Sequence, residues 1–528
     1  MPWQQTLDPL DSIWLSALLA VIPLAAFTVG LSVFKLSGVV AGGIGLVLEA
    51  IIALVVYRMP VASVSGAALL GALNGLWPIC YIVVTAVWLY KLTHASGKLD
   101  DIRTSIASIS TDSAVQVLLL AFAFGAFLEG IAGFGIPIAI CAALLTQVGF
   151  APIRAACISL VANFAAGAYG AIGVPVLVGA QVAGISSADL SRTLALVLEP
   201  ITLFVPALLV VMVSGWSGLR IRWRVTTVTS VVFAGVQAAT LLFLGPELAA
   251  VLPGLAAMGA VMLVTRAERT TPDTVSALPM PRIAAAWSPY WVLTALVVLW
   301  STPWFRQSVA TGPFAGWHLA LSIPGVTNAL TSSDGSLVTT QYSWAPIEAT
   351  GTAILVAVLI TALASRSVGW RLLGGTLATT IRELWRPLLL ILLVLALANI
   401  ANLSGATGSI AHALAATGAV FPLIAPVIGW FGVFLTGSVV NNNTLFAKLQ
   451  TTSATGIGVD PVPLVAANTA GGAAGKVISP QSIAIAAGAT GLTGREGAIL
   501  RASLLYSLGI LAAVCVWTFV VATYLPSS

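Results

Sequence analysis

Apolar runs of about twenty residues recur from Ser12 to Leu525, with no long hydrophilic block between them. A helix of about 20 mostly apolar residues crosses the hydrocarbon core of a bilayer, and a spanning helix satisfies its own backbone polar groups, as lipid demands. The chain is 59% hydrophobic and 7% charged, against about 25% charged in soluble domains. It lacks the charge to coat a soluble globule of 528 residues. The expected fold class is an all-α polytopic membrane protein, with residues 1–528 forming a single transmembrane domain.

Twelve runs are long enough to cross: about 12 to 34, 36 to 57, 63 to 90, 152 to 182, 192 to 213, 226 to 244, 246 to 265, 286 to 303, 347 to 365, 387 to 403, 461 to 490 and 502 to 524. The stretches 113–148 and 419–455 are too long for one crossing, and a small or polar segment interrupts each halfway. They read as two re-entrant hairpins. With both re-entrant, the N- and C-termini share the external side. Most of the 22 Lys and Arg residues, among them Lys35, Lys91, Lys98, Arg103, Arg154 and Arg220, then fall inside, as the positive-inside rule requires. The segment 304–346, rich in Gly, Ser, Thr and Trp, is an external loop between two halves. Trp14, Trp216, Trp287, Trp304, Trp344, Trp370 and Trp385 lie at span ends, where they are expected as interfacial anchors. The first run lacks a basic leader and is followed at once by another span, so it reads as a retained helix.

The chain contains an internal repeat. Ala162-Asn-Phe-Ala-Ala-Gly-Ala-Tyr-Gly-Ala-Ile-Gly-Val-Pro175 aligns without gaps to Ala467-Asn-Thr-Ala-Gly-Gly-Ala-Ala-Gly-Lys-Val-Ile-Ser-Pro480, with seven of 14 positions identical. Phe127-Leu-Glu-Gly130 matches Phe434-Leu-Thr-Gly437 upstream. Each half therefore pairs a hairpin with a glycine-interrupted helix: 63–245 with hairpin 113–148 and broken helix 152–182, and 347–524 with hairpin 419–455 and broken helix 461–490. The hairpins open from opposite sides, which makes the halves inverted repeats, an architecture that places substrate near the membrane midplane. Gly167, Gly170, Gly173, Gly471, Gly472 and Gly475 each weaken a helix by about 1 kcal/mol relative to Ala. Pro175 and Pro480 remove backbone donors, so both helices are expected to unwind across these glycines. The alternative is small-residue helix packing.

Composition also excludes functions. The net charge of +5 is scattered through short loops, so no nucleic-acid partner is expected. Cys80, Cys141, Cys157 and Cys515 sit in apolar stretches, and His94, His318 and His412 are far apart. No metal-ligand spacing, P-loop or nucleophile elbow is present, and the chain is read as neither an enzyme nor a cofactor binder.

Glu129, in Phe127-Leu-Glu-Gly-Ile-Ala-Gly-Phe-Gly-Ile-Pro137, is placed at the first hairpin tip. A buried ionised carboxylate without a partner costs several kcal/mol, so a proton-coupling role follows; a structural ion pair is the alternative. Thr436-Gly-Ser-Val-Val-Asn-Asn-Asn-Thr444 gathers hydroxyls, amides and half-helix N-termini suited to a carboxylate, or merely closes a turn. Lys476 is the one basic residue deep in a span, and intramembrane charges face a cavity or a partner. It pairs with a substrate carboxylate, or forms a salt bridge with Glu129 or another buried acid. Glu199-Pro200 marks a kink, and Glu49 is expected to snorkel.

Phe127–Pro137, Asn74-Gly-Leu-Trp-Pro-Ile79 and Ala474-Gly-Lys-Val-Ile-Ser-Pro-Gln-Ser482 resemble the bacterial lactate permease family over nearly the whole chain. The resemblance implies proton-coupled uptake of lactate and often glycolate across the inner membrane, and a distant likeness to ion-coupled anion carriers with paired hairpins and broken helices, which often work as dimers. Sodium coupling to another carboxylate is the alternative. The candidate substrate residues are Gly130, Gly133, Asn163, Tyr169, Gly170, Ser438, Asn441, Asn442, Asn443, Thr444, Asn468, Thr469, Lys476, Ser479 and Gln481, with Glu129 for the proton. One departure falls at the second hairpin tip, where Gly437-Ser-Val-Val-Asn-Asn-Asn-Thr444 stands in place of the family's more usual Gly-Ser-Asp-Thr-(small)-Ser-Asn.

Overall fold

The computed structural model describes residues 2–107, 109–268, 279–312, 317–333, 335–365 and 368–524. The molecule is an all-α polytopic membrane protein. Among the described residues, eleven helices are long and apolar enough to cross a membrane. Burial separates them into two kinds. The most apolar stretch of Gly38–Val55 is 33% buried, whereas that of Ser113–Ile131 is 94% buried. The first presents an apolar face to lipid; the second runs through the protein interior.

Three of the twelve expected crossings are absent from the eleven. The runs 152–182 and 461–490 are each split into short helices, and 347–365 forms a helix of only 15 residues, Thr350–Ala364. The set of eleven instead includes an arm of each hairpin, Ser113–Ile131 and Gly418–Thr436. The run 387–403 belongs to a longer helix, Trp370–Ser404, of 35 residues. At 1.5 Å per residue this exceeds a hydrocarbon core of about 30 Å, so its polar first half, with Arg371, Arg382, Glu383 and Arg386, extends beyond the apolar slab.

The described parts of the connector 304–346 hold short strands. Leu319–Ser322 pairs antiparallel with Gln341–Trp344, and Leu330–Thr331 pairs in parallel with Trp3–Gln4 near the N-terminus. The pairing puts the N-terminal segment and this loop on one side of the molecule. Trp287 departs from the anchoring expectation: its ring packs on Phe127 at 5.0 Å, inside an aromatic group with Tyr290. Glu49 departs as well. It is 1% exposed and does not reach the surface.

Both over-long runs fold as helical hairpins. The first joins Ser113–Ile131 to Ile136–Gln147 through left-handed residues Gly133, Phe134 and Gly135. The second joins Phe421–Thr436 to Val439–Gly456 through Gly437, whose φ of 68° suits glycine, and Ser438. The second turn is thus two residues long. Asn441, Asn442 and Asn443 lie in the first turns of the following helix and do not close the turn.

The breaks fall at matching alignment positions, but the glycines behave differently from expectation. The first helix runs Pro152–Ala162, Phe164–Gly167 and Gly170–Ala183, with a left-handed turn at Ala171, Ile172 and Gly173 (φ 48°, 58° and 72°). The second stays helical from Pro461 through Lys476 and restarts at Pro480–Ala489. Unwinding across Gly471, Gly472 and Gly475 is therefore overturned. A Cβ at Gly471 would meet the carbonyl oxygen of Pro426, and one at Gly475 that of Trp430. These glycines let the second hairpin's first arm lie directly on the helix.

Candidate functional site

A cavity of about 60 Å³ lies where both hairpin tips and both breaks meet. Gly133, Phe134 and Gly135 come from the first tip, and Gly437, Ser438, Val439 and Val440 from the second. Gly170, Ala171 and Pro175 come from the first break; Lys476, Gln481 and Ser482 flank the second. Three helices begin at its wall. Ile136–Gln147 follows Gly135; Val439–Gly456 is capped by Ser438, whose Oγ accepts from the Asn441 amide at 3.3 Å; and Pro480–Ala489 is capped by Ser479, whose Oγ accepts from the Ser482 amide at 3.2 Å. Their unpaired N–H groups and dipoles favour an anion.

The charged pair of the site spans the halves. Lys476 Nζ donates to Glu129 Oε1 at 2.6 Å, and Asn163 Nδ2 donates to Glu129 Oε2 at 2.8 Å. Glu129 is 1% exposed and Lys476 8%. Glu129 sits one turn before the hairpin tip, and Gly170 makes room for it: a Cβ there would collide with Oε1. Of the two alternatives for Lys476, this conformation takes the ion pair. Asn163 Oδ1 is buried without a hydrogen-bond partner, leaving an acceptor open beside the pair.

Behind the second tip, amides tie hairpin to breaks. Asn443 Nδ2 donates to the Pro175 carbonyl at 2.8 Å in the first break and to Thr469 Oγ1 at 2.9 Å in the second broken helix. Asn468 Nδ2 returns a bond to Asn443 Oδ1 at 3.0 Å, and Asn442 Nδ2 reaches the Asn468 carbonyl at 3.3 Å.

Glu129, Gly133, Gly170, Ser438, Lys476 and Gln481 line the cavity as a group. Asn163 bonds to its wall and Ser479 caps it. Asn442, Asn443, Asn468 and Thr469 stand behind, because helical periodicity turns them toward the neighbouring helix. Thr444 bonds within its own helix to the Val440 carbonyl. The Asn441 side-chain oxygen is buried and unpaired. A Cβ on Gly130 would touch Val251 at 2.7 Å, so Gly130 faces the helix Val251–Glu268. Tyr169 is fully buried outside the cavity lining.

Sequence reasoning missed Gln450, whose Nε2 donates to the Ala425 carbonyl at 3.1 Å and to Asn468 Oδ1 at 3.3 Å. It also missed Gln237, whose Nε2 donates to the Ala249 carbonyl at 2.6 Å and the Ala165 carbonyl at 3.2 Å. Each lies in a helix that carries several other polar residues, so residue type alone did not single it out.

The model of the L-lactate permease family matches residues 16–525. The chain belongs to the L-lactate permease family. It is 41% identical to an L-lactate permease of Halalkalibacterium halodurans, over 98% of both chains. It is 40% identical to the glycolate permease GlcA of Escherichia coli K12, over 96% of this chain and 95% of the relative. The solved structure of Neisseria gonorrhoeae MtrF aligns with 86% of this chain and 83% of its own, with TM-score 0.46 and 14% identity. As a member of a permease family with many apolar helices, the L-lactate permease family protein described here is a multi-pass membrane transporter and not an enzyme.

Proposed function

We propose that this permease carries lactate and related small 2-hydroxymonocarboxylates such as glycolate into the cell, across the bacterial inner membrane, together with a proton. The relatives named for lactate and glycolate support the substrate class. The observation that carries the mechanism is the buried Lys476–Glu129 pair at 2.6 Å, on a cavity with three helix N-termini at its wall.

A substrate carboxylate entering that cavity competes with Glu129 for the Lys476 ammonium. Once Lys476 turns to the substrate, Glu129 is an unpaired carboxylate in a low-dielectric site, which costs several kcal/mol. Taking up a proton removes that cost. The empty site holds one positive and one negative charge; the loaded site holds Lys476⁺, the substrate anion and neutral Glu129. Both sum to zero, so either form can face a change of access without carrying net charge through the membrane. One proton then accompanies one monocarboxylate. Ser438 and Gln481 are placed to recognise the 2-hydroxyl group, and Asn163 holds Glu129 in position. In this reading the segments 63–245 and 347–524 are inverted halves and both termini are external.

Uptake of labelled lactate into proteoliposomes is expected to rise with an inward proton gradient and to compete with glycolate. Uptake indifferent to pH and to uncouplers would overturn the coupling. Glu129→Gln is expected to lose accumulation while retaining part of substrate exchange.

A further inference from the structure

Glu199 opens the one-turn helix Glu199–Thr202, at the bend between Ser187–Val197 and Val205–Ile221, midway along a stretch apolar enough to span the membrane. It is 6% exposed, and both of its carboxylate oxygens lack a hydrogen-bond partner. Three residues on, Thr202 shares its helical face, and its hydroxyl is also buried and unpaired. The Tyr169 hydroxyl is the third such group. Tyr169 is fully buried, has no hydrogen-bond partner, and lies within electrostatic reach of Glu199. It immediately precedes Gly170, the residue that abuts the Glu129 carboxylate.

Two buried glutamates thus have opposite surroundings. Glu129 has Lys476 at 2.6 Å and an amide donor from Asn163. Glu199 has neither. Four helices pack against its turn: Ser187–Val197, Val205–Ile221, Trp223–Phe243 and Glu496–Tyr524. Their charged residues stand near the helix ends. Asp189 pairs with Arg192 at 3.5 Å, Arg222 pairs with Asp112 at 2.6 Å, Arg220 and Arg224 are exposed, and Glu496 and Arg501 lie at the start of the last helix. Of the other titratable groups on these helices, Cys515 is buried, Tyr506 half-buried and Tyr524 exposed. None of them offers a positive charge.

We infer that Glu199 is a proton-binding site, held in the membrane as a neutral carboxylic acid, separate from the Glu129–Lys476 pair. Without a cation or a donor, an ionised Glu199 would carry the full cost of a buried charge, whereas its neutral form carries only that of a buried polar group. The Tyr169 hydroxyl, within electrostatic reach, stands beside the break on which Gly170 and Glu129 meet. As a second proton site in a proton-coupled carrier the inference rests on the proposed function, but its test requires no transport.

Infrared difference spectra of the full-length protein in lipid nanodiscs at neutral pH, in H₂O and D₂O, read protonated carboxyl groups directly. The wild type is expected to show a deuterium-sensitive carboxylic-acid carbonyl band that Glu199→Gln lacks and Glu129→Gln keeps. Glu199→Asp, which keeps a carboxyl on a shorter arm, is expected to shift the band without removing it, which keeps the test available if Glu199→Gln does not fold. An unchanged spectrum in either variant would overturn the proposal. So would loss of the wild-type band on adding Na⁺ at fixed pH, which would assign the site to a metal cation. A transport-inactive protein that keeps the Glu199 band would refute the transport reading and leave the proton site standing.

Discussion

Where the first broken helix has Gly170, the aligned position of the second has Gly475, and the two glycines answer to different neighbours. A Cβ at Gly170 would strike a side-chain carboxylate, Glu129; a Cβ at Gly475 would strike a backbone carbonyl, that of Trp430. One turn earlier both glycines face side chains and differ in clearance. Gly167 has ordinary clearance, with Lys476 Cδ at 3.5 Å and Asn163 Oδ1 at 3.6 Å, whereas a Cβ at Gly472 would meet Val433 Cγ2 at 2.9 Å and Asn442 Nδ2 at 3.0 Å. One repeat uses its small residues to admit a charged group, the other to seat a hairpin arm. The first also reverses its chain through Ile172 at a φ of 58°, a conformation that costs a β-branched residue about 1–3 kcal/mol. The second restarts on the Ser479 cap with Pro480 in the first turn. Repeated sequence thus specifies where a break falls, while neighbours decide what the break holds.

The largest effect should come from splitting the charge that joins the two breaks. Lys476→Met leaves Glu129 buried and uncompensated and is expected to cost about 3–5 kcal/mol, seen as a large drop in thermal unfolding temperature by scanning fluorimetry. Adding Glu129→Gln should restore much of the stability without restoring uptake; no restoration would mean that the pair is not the source of the cost. Next comes the glycine pair. Gly475→Ala should destabilise by about 1–3 kcal/mol, because a backbone must yield. Gly170→Ala should leave the melting temperature nearer wild type while lowering uptake, because a side chain can move aside but the carboxylate is displaced. If both variants melt alike, the contrast between side-chain and backbone neighbours fails. Asn443→Ala removes the amide that bridges the second hairpin to both broken helices and leaves buried acceptors unpaired, an expected loss of about 1–3 kcal/mol by the same assay. The smallest effect belongs to Gly167→Ala, where a helical Ala making only ordinary van der Waals contacts should raise stability by about 0.5–1 kcal/mol or leave it unchanged. A marked loss at Gly167 would show that the first break tolerates no added volume.

Much of this arrangement was readable in the chain. An apolar run of 113–148 cannot be one straight crossing, and the small or polar segment halfway along each over-long run marked that it turns back, although Glu129, expected at the first tip, lies one turn before it. Glu129 and Lys476 stood out as charges inside apolar stretches. Other features were not readable. Asn441 to Asn443 suggested a polar tip, but two residues suffice for the turn, and the helix then carries Asn442 and Asn443 away from the cavity. Glu49 and Gln450 are polar residues whose burial depends on which helix covers them. Trp287 lies near a span end like the anchoring tryptophans, yet packs against Phe127 because a hairpin arm occupies the space beside it.

By itself the sequence determined that this chain belongs in lipid, that its elements are helices, that two runs turn back, and that two helices break at equivalent positions. Those properties follow from hydropathy, length and backbone chemistry, which act within a segment. Only the tertiary structure decided that Lys476 rests on Glu129, that Gly471 and Gly475 seat a neighbouring helix while remaining helical, and that Glu199 is left without a partner. Each of these outcomes depends on the atom that arrives from a distant part of the chain, and a glycine or a carboxylate has the same local propensity whatever that atom proves to be.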